Sequence, residues 1–467
     1  MNTNCVDLVI RGGTVVNAGG TALADVGILR ERVVQIGGEL EGREEIFAHG
    51  QFILPGGVDV HVHLSPARWS PEAEFNWVDD FYSGSRAAIA GGVTTIGNMT
   101  FPWDGQSLEG AVARDLASAS ANASIDYFLH PVLTEPDEVS LVALEAMARR
   151  GIRTVKLFMT NQSFDARIDD FMKALEVAAR CGILVMIHCE DGPVLRAIAR
   201  RLESIGRSDV TQWARSRPDF AEASSIHRAM GMCLATGASV YAVHVSSEIA
   251  LDACRSAKRA GLPFFVETRP MYLHLTSELL EATDGAKYIG APPLRQPHDV
   301  EALWVALNDG TIDTVATDHA PWSLQAKLDP RLNVRTARQG VADLETSLPL
   351  LFSEGVRTGR LSLTRFVELV SARPAQLFGL WPRKGLIAPG SDADLVLWDP
   401  EYRYVIDGSR SYSRADYSVY EGTEVIGAPM TTISRGVVVM RDRQVIGERG
   451  RGMWLAARPH ETQGVVR

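Results

Sequence analysis

Gly57-Val58-Asp59-Val60-His61-Val62-His63-Leu64 reads as a β-strand that carries chemistry at its end. The run is apolar and rich in β-branched residues, and its histidines stand at positions i and i+2. Side chains alternate along a strand, so both imidazoles leave the same face. Two imidazoles on one face at a strand exit suit a metal ion. A strand that holds two histidines only for packing is the competing reading. What separates the two is whether other parts of the chain bring further ligands.

Seven more apolar β-type runs accompany 58–62, at 93–99, 125–133, 154–159, 183–188, 240–245, 263–267 and 313–317. Ala-rich amphipathic segments lie among them, at 139–150, 168–181, 221–236 and 248–260. Gly92, Gly151, Gly182, Gly237 and Gly261 stand where a helix should stop before the next strand. Alternating strand and helix implies a parallel sheet with helical crossovers. Eight such units predict an α/β protein built on a (β/α)8 TIM barrel, whose active site lies at the C-terminal ends of the strands. An open doubly wound sheet is the rival, but no Gly-x-Gly-x-x-Gly follows an early strand.

Both ends of the chain differ from this middle. Short β segments bounded by glycines fill residues 6–54, and 391–398 and 435–440 have the same texture. We therefore expect residues 1–54 and 385–450 to pair into one small β-sandwich domain, residues 55–384 to form the barrel, and 451–467 to be a C-terminal tail.

The composition is that of an ordinary globular chain, 467 residues with 46% hydrophobic and 22% charged. A net charge of −10 without a long basic run argues against nucleic acid and anionic membranes as partners. No apolar run is long enough to span a bilayer, and the first residues lack a basic segment followed by an apolar one. Five cysteines, odd in number and without Cys-x-x-Cys spacing, fit reduced thiols and a cytoplasmic location.

The strand ends supply the missing ligands. The first run ends in His61 and His63, the fifth in His188; His244 lies in the sixth, and Asp318 follows the eighth. In a barrel all of them meet at one mouth. His227, His298 and His460 fall outside this pattern and read as surface or packing residues, while His130, inside the third run, is ambiguous. Lys156 sits in the apolar fourth run, where an ammonium must be paired, neutralised or modified. It either forms a salt bridge to a neighbouring acid or is carbamylated by carbon dioxide. Carbamylation would turn a cation into an anion with two oxygens, the kind of bridge that two metal ions about 3.5–4 Å apart require.

The order His61-x-His63, Lys156, His188, His244, Asp318 resembles the binuclear cyclic amidohydrolases, namely hydantoinase, dihydropyrimidinase, allantoinase and dihydroorotase. The hydantoinase and dihydropyrimidinase branch is the most similar. Val155-Lys156-Leu157-Phe158-Met159, His188-Cys189-Glu190-Asp191-Gly192, Glu267-Thr268-Arg269-Pro270, Pro292-Pro293-Leu294-Arg295 and Thr317-Asp318-His319-Ala320-Pro321 carry the likeness, which runs on to Tyr420-Glu421-Gly422. The resemblance implies one divalent metal on His61, His63 and Asp318, a second on His188 and His244, and carbamylated Lys156 bridging them. It implies zinc first, with manganese or cobalt as substitutes. It also implies that a metal-bridging hydroxide opens a cyclic amide, imide or ureide, with Asp318 as the catalytic proton carrier. Homotetramers, with the tail in subunit contacts, are a further implication.

Some positions depart from the family. Five residues after the bridging lysine it carries a tyrosine that hydrogen-bonds the oxyanion, and here Asn161 stands there. The family holds the substrate amide by backbone contacts at positions occupied here by Ala291 and Gln339. Asp343-Leu344-Glu345-Thr346-Ser347-Leu348-Pro349 looks closer to the allantoinase and dihydroorotase branches, so an allantoinase-type ureide hydrolase is the alternative. Dihydroorotase itself is disfavoured, because Ser65 replaces its carboxylate-binding arginine, although Arg68 is near. Arg68, Trp69, Phe75 and Trp77 read as a specificity pocket or as a surface loop packed on its own aromatics. Cys189 reads as a packed thiol. A non-catalytic dihydropyrimidinase-related scaffold is the remaining reading, against which the intact set of six ligands argues.

Overall fold

Eight parallel strands follow one another through the middle of the chain: β1 Gly57–Val62, β2 Val93–Thr100, β3 Asp126–Pro131, β4 Thr154–Phe158, β5 Leu184–His188, β6 Val240–Ala242, β7 Phe264–Thr268 and β8 Thr314–Val315. They come from a computed structural model that describes residues 5–64 and 76–460. β1, β2 and β3 pair in order, as do β4 through β8. Parallel bridges Val132 to Lys156 and Val62 to His319 join the two runs and close the ring. Each of the eight expected runs overlaps one of these strands.

The strands are buried on both faces, as parallel strands between a barrel interior and a helical shell must be. β5 shows the alternation: Leu184 and Met186 pack inward with Val58, Val60 and Tyr241, while Val185 and Ile187 pack outward against the helices. The five stop glycines all take positive φ, from +61° at Gly182 to +94° at Gly151. A side chain at these positions would be strained, which is why glycine ends these segments.

One end of the barrel is sealed. Phe378, just past the short helix Arg373–Leu377, packs its ring against Phe128 and Tyr241 with centroids 5.8 and 5.1 Å away. The chain then returns from the C-terminus: Leu455 N donates to Tyr127 O at 2.8 Å, Ala457 N to Gly151 O at 2.9 Å and His460 N to Gly182 O at 3.0 Å. These bonds lie at the starts of β3, β4 and β5. Over its described part the tail, expected in subunit contacts, is therefore laid on its own barrel; residues 461–467 lie outside the described residues. Only the C-terminal end of the barrel is left for chemistry.

The two ends of the chain build the β-rich part together. Phe52–Pro55 is the seam, parallel to Thr14–Asn17 on one side and antiparallel to Leu395–Val405 on the other, within a seven-stranded sheet. A four-stranded sheet of Cys5–Arg11, Val26–Leu29, Arg32–Ile36 and Glu41–Phe47 completes it. Ile10, Val26 and Ile28 meet Ile53, Leu395 and Ile433 in a shared core. Glu41–Phe47, inside the β-rich stretch 6–54, is a charged edge strand, largely exposed, with no apolar alternation to mark its bounds.

A buried charge cluster bolts the β-rich part to the barrel. Lys384 Nζ reaches Asp126 at 2.6 Å, Asp392 at 2.9 Å and Asp394 at 2.5 Å, and Arg435 Nε adds a contact to Asp126 at 2.9 Å. The three carboxylates lie close enough together to resemble a cation site, but the ammonium already occupies their centre. Lys384→Met would leave buried carboxylates short of a counter-charge, at a cost of about 3–5 kcal/mol. Chemical denaturation checks this, and a loss below about 1 kcal/mol would contradict the bolt.

Candidate active site

The open end of the barrel gathers all six residues expected to hold metal. His61 lies in β1 and His63 directly follows it; Lys156 is central in β4; His188 ends β5; His244 and Asp318 come two and three residues past β6 and β8. All six are buried and line one cavity of about 500 Å³. His244 and Asp318 take positive φ, +41° and +49°, which non-glycine residues adopt only where the surroundings impose it. Those two turns bend the side chains into the mouth.

The donor atoms form two neighbouring groups. His63 Nε2 lies 2.9 Å and His61 Nε2 3.3 Å from Asp318 Oδ1. His188 Nδ1 faces His244 Nε2 at 3.0 Å, and the His61 and His244 rings stack with centroids 5.6 Å apart. Burial, helped by the Lys156 charge, pushes His61 and His244 well below the usual imidazole range, and His63 to about 4. These rings are therefore neutral, with lone pairs to donate. Lys156 Nζ is buried without a hydrogen-bond partner among the described residues, so the salt bridge weighed for it is not formed. Burial pushes its pKa down to about 8, against the pull of Glu267 and Asp318. Neutral imidazoles, a carboxylate and an orphaned amine between them fit divalent metal ions with nitrogen and oxygen ligands.

The same cavity is lined by Asn161, Ala291 and Gln339. Asn161 precedes the short helix Gln162–Ala166 and makes no capping bond to it, which leaves its amide to the cavity. Trp77, Phe101, Phe158 and Trp322 supply an aromatic wall, with the Trp77 ring 4.6 Å from that of His63. Of the other loop positions, Ser65, Arg68, Trp69 and Phe75 lie outside the described residues. His130 is a core residue: its Nδ1 lies 2.7 Å from Thr154 Oγ1, and its ring meets Phe128 and Phe378 edge-on. His227 and His298 are exposed, and His460 packs on Phe265. Burial pushes the Cys189 thiol up, so it is a packed thiol and not a nucleophile.

The amidohydrolase family profile matches residues 52–439. The chain belongs to the amidohydrolase family. A D-hydantoinase of Ralstonia pickettii is 38% identical to this amidohydrolase over 98% of its chain and 100% of the relative. A D-phenylhydantoinase of Escherichia coli is 37% identical over 97% and 98% of the two chains. The crystal structure of dihydropyrimidinase from Brevibacillus agri matches with a TM-score of 0.91 at 36% identity, covering 97% of this chain and 99% of that one.

Behind the six residues this amidohydrolase places a set of acids and arginines whose roles the motifs alone do not reveal. Glu267 Oε1 lies 2.8 Å from His61 Nδ1 and accepts from His244 N at 2.9 Å, while Tyr241 Oη donates to Oε2 at 2.9 Å. This turns Nε2 of His61 towards Asp318 and fixes the turn at His244. Glu190 Oε2 lies 2.7 Å from His188 Nε2 and is clasped by Arg217. Burial pushes Glu190 up, but Arg217 and His188 outweigh it and hold the carboxyl at about 2. Arg269, fully buried, bonds Asp318 Oδ2 at 2.8 Å. A buried acid or arginine at a strand end was the available signal: Glu267 closes the seventh run and Glu190 follows the fifth by two.

Proposed function

We propose that this amidohydrolase opens a cyclic amide or imide of the hydantoin or dihydropyrimidine class by hydrolysis of a ring C–N bond. The convergence of two histidine pairs, Lys156 and Asp318 on one buried cavity carries the reading, and the hydantoinase and dihydropyrimidinase relatives support it. His61, His63 and Asp318 would hold one divalent ion and His188 and His244 the other, with carbamylated Lys156 between them. Zinc suits this imidazole and carboxylate set best, and manganese or cobalt can replace it. When bound, the two ions supply Lewis acidity, which acidifies water and polarises the scissile carbonyl.

The chain's own groups do the rest. The neutral fraction of Lys156 would add through Nζ to the carbon of carbon dioxide: an N–C bond forms, one C=O π pair moves onto oxygen as the carbamate charge, and one N–H proton leaves to solvent. Burial opposes ionisation of Asp318, but the Arg269 charge and the hydrogen bond to His63 outweigh it and hold the carboxyl well below the usual range. Asp318 thus enters as a carboxylate, aimed by Arg269. It accepts the proton of the attacking water as the C–O bond forms and returns it to the leaving nitrogen as the C–N bond breaks. Ala291 and Gln339 hold the amide through their main chain, the aromatic wall takes the apolar substituent, and Asn161 donates to the oxyanion where the family uses tyrosine.

Asn161→Ala is then expected to lower kcat about 10²-fold, the cost of one well-placed oxyanion donor. Steady-state kinetics check it, and an unchanged kcat would remove Asn161 from the reaction. A panel of hydantoins, dihydrouracil, allantoin and dihydroorotate, with zinc and bicarbonate present, tests the substrate class. Turnover of hydantoins or dihydrouracil supports the reading; turnover of allantoin alone, or dihydroorotate alone, would contradict it.

We place the enzyme in the cytoplasm, a location that its five unpaired cysteines support. No helix among the described residues is long and apolar enough to cross a membrane. We also propose a homo-oligomer, a tetramer by resemblance, supported by exposed apolar residues such as Val139 and Val142 on the outer helix Glu138–Arg149.

A further inference from the structure

Lys327 ends the short helix Leu324–Lys327, and its side chain is buried. Nζ donates to three main-chain carbonyls: Ile289 at 2.6 Å, Arg338 at 2.7 Å and Gly340 at 2.9 Å. Among the described residues no acidic side chain is its partner. Burial and the Arg269 guanidinium push its pKa down, and the three carbonyl oxygens at hydrogen-bond distance are what favour the protonated form. Three acceptors match the three protons of an ammonium, one each. A buried lysine without an acid is an expensive choice, kept only where its geometry is needed.

The carbonyls belong to two segments distant in sequence. Ile289 lies two residues before Ala291, while Arg338 and Gly340 bracket Gln339. Gly340 N also donates to Ile289 O at 3.0 Å, so the segments already touch where the ammonium sits. Other carbonyls of the same segments are tied as well: Gly290 O accepts from Trp213 Nε1 at 2.8 Å, Pro292 O from Tyr272 Oη at 2.5 Å and Gln339 O from Trp322 Nε1 at 2.8 Å. Among the described residues, Lys327 Nζ bonds carbonyls of both segments at once. It does not line the cavity, whereas Ala291 and Gln339 do.

We propose that Lys327 is a positioning residue, an ammonium clamp that fixes the 289–292 and 338–341 segments at the spacing the substrate's amide requires. The proposal rests on the reading above, in which main-chain groups of Ala291 and Gln339 bracket that amide. The lysine touches no reacting atom. It sets the width of the slot in which the ring lies, so its loss shows in substrate binding before it shows in turnover.

Lys327→Met and Lys327→Gln in the metal-loaded, full-length enzyme test this with two readouts. The first is backbone hydrogen exchange. Segments 289–292 and 338–341 are expected to exchange about 10-fold faster or more in Lys327→Met, with β1 and β5 unchanged and Lys327→Gln, which keeps two donors, in between. The second is kinetics on a hydantoin. KM is expected to rise about 10-fold, the worth of about one hydrogen bond to the amide, with kcat changed far less and metal content intact. Unchanged exchange in both segments overturns the clamp, as does a fall in kcat at constant KM. If neither variant folds, the lysine serves the fold as a whole and the assignment falls. A wild-type enzyme that opens no hydantoin or dihydropyrimidine would overturn the proposed function instead, and the exchange readout would still decide the clamp.

Discussion

Asp318→Asn is expected to cost about 10⁴-fold in kcat, the upper end of what a positioned acid–base group contributes. Three roles fall together in this substitution. The carboxylate that carries the proton becomes an amide that cannot, the His61 and His63 group loses its anionic member, and Arg269 loses the negative charge that faces it at 2.8 Å. The remaining acid near Arg269 is Asp343, at 3.5 Å. Leaving a fully buried guanidinium short of a partner should also destabilise the fold by about 3–5 kcal/mol. The two readouts separate the roles: kinetics on refolded, metal-loaded protein report the proton carrier, and denaturation reports the Arg269 pair. A variant that keeps kcat within about 10-fold would exclude Asp318 as the proton carrier, since even modest general acid–base catalysts are worth more than that.

Lys156→Met is expected to lose at least about 10³-fold in activity, with metal binding reduced, yet to fold at least as stably as the parent. The opposition of the two effects is the diagnostic. Lys156 is buried with no hydrogen-bond partner among the described residues, and burial already lowers its pKa to about 8. Methionine fills a similar volume without a charge to desolvate, so the fold has nothing to lose. Thermal melting beside metal analysis checks it. A drop in melting temperature with activity retained would make Lys156 a structural cation and not the bridge between two metal groups.

The barrel was legible because its physics is local. A strand buried on both faces must be apolar throughout, and a helix that turns back to the next strand needs a glycine at positive φ; both leave marks within a few residues. Strand lengths were less legible. The sixth apolar run extends to residue 245, but β6 stops at Ala242, because His244 turns the backbone to +41° to aim its ring. Here function overrides strand propensity. Glu41–Phe47 is hard to bound for the opposite reason, as an edge strand with too little buried to show a pattern.

The candidate site divides along the same line. His61, His63, Lys156, His188, His244 and Asp318 stood out because each is a polar residue inside or just after an apolar run. Glu267, Arg269, Glu190 and Lys327 did not, because their meaning lies in a partner from another strand or loop. Glu267 reads as one more acid until it stands 2.8 Å from His61. Lys327 looks like a surface lysine of a polar loop until three carbonyls close on its nitrogen.

The central claim is that two metal ions held by this one constellation make the enzyme. Titrating metal-stripped protein with zinc in bicarbonate buffer, while following hydantoin hydrolysis, tests it most directly. Activity should rise with added metal and saturate at two ions per chain. Full activity at one ion, or in the stripped protein with chelator present, would contradict the account.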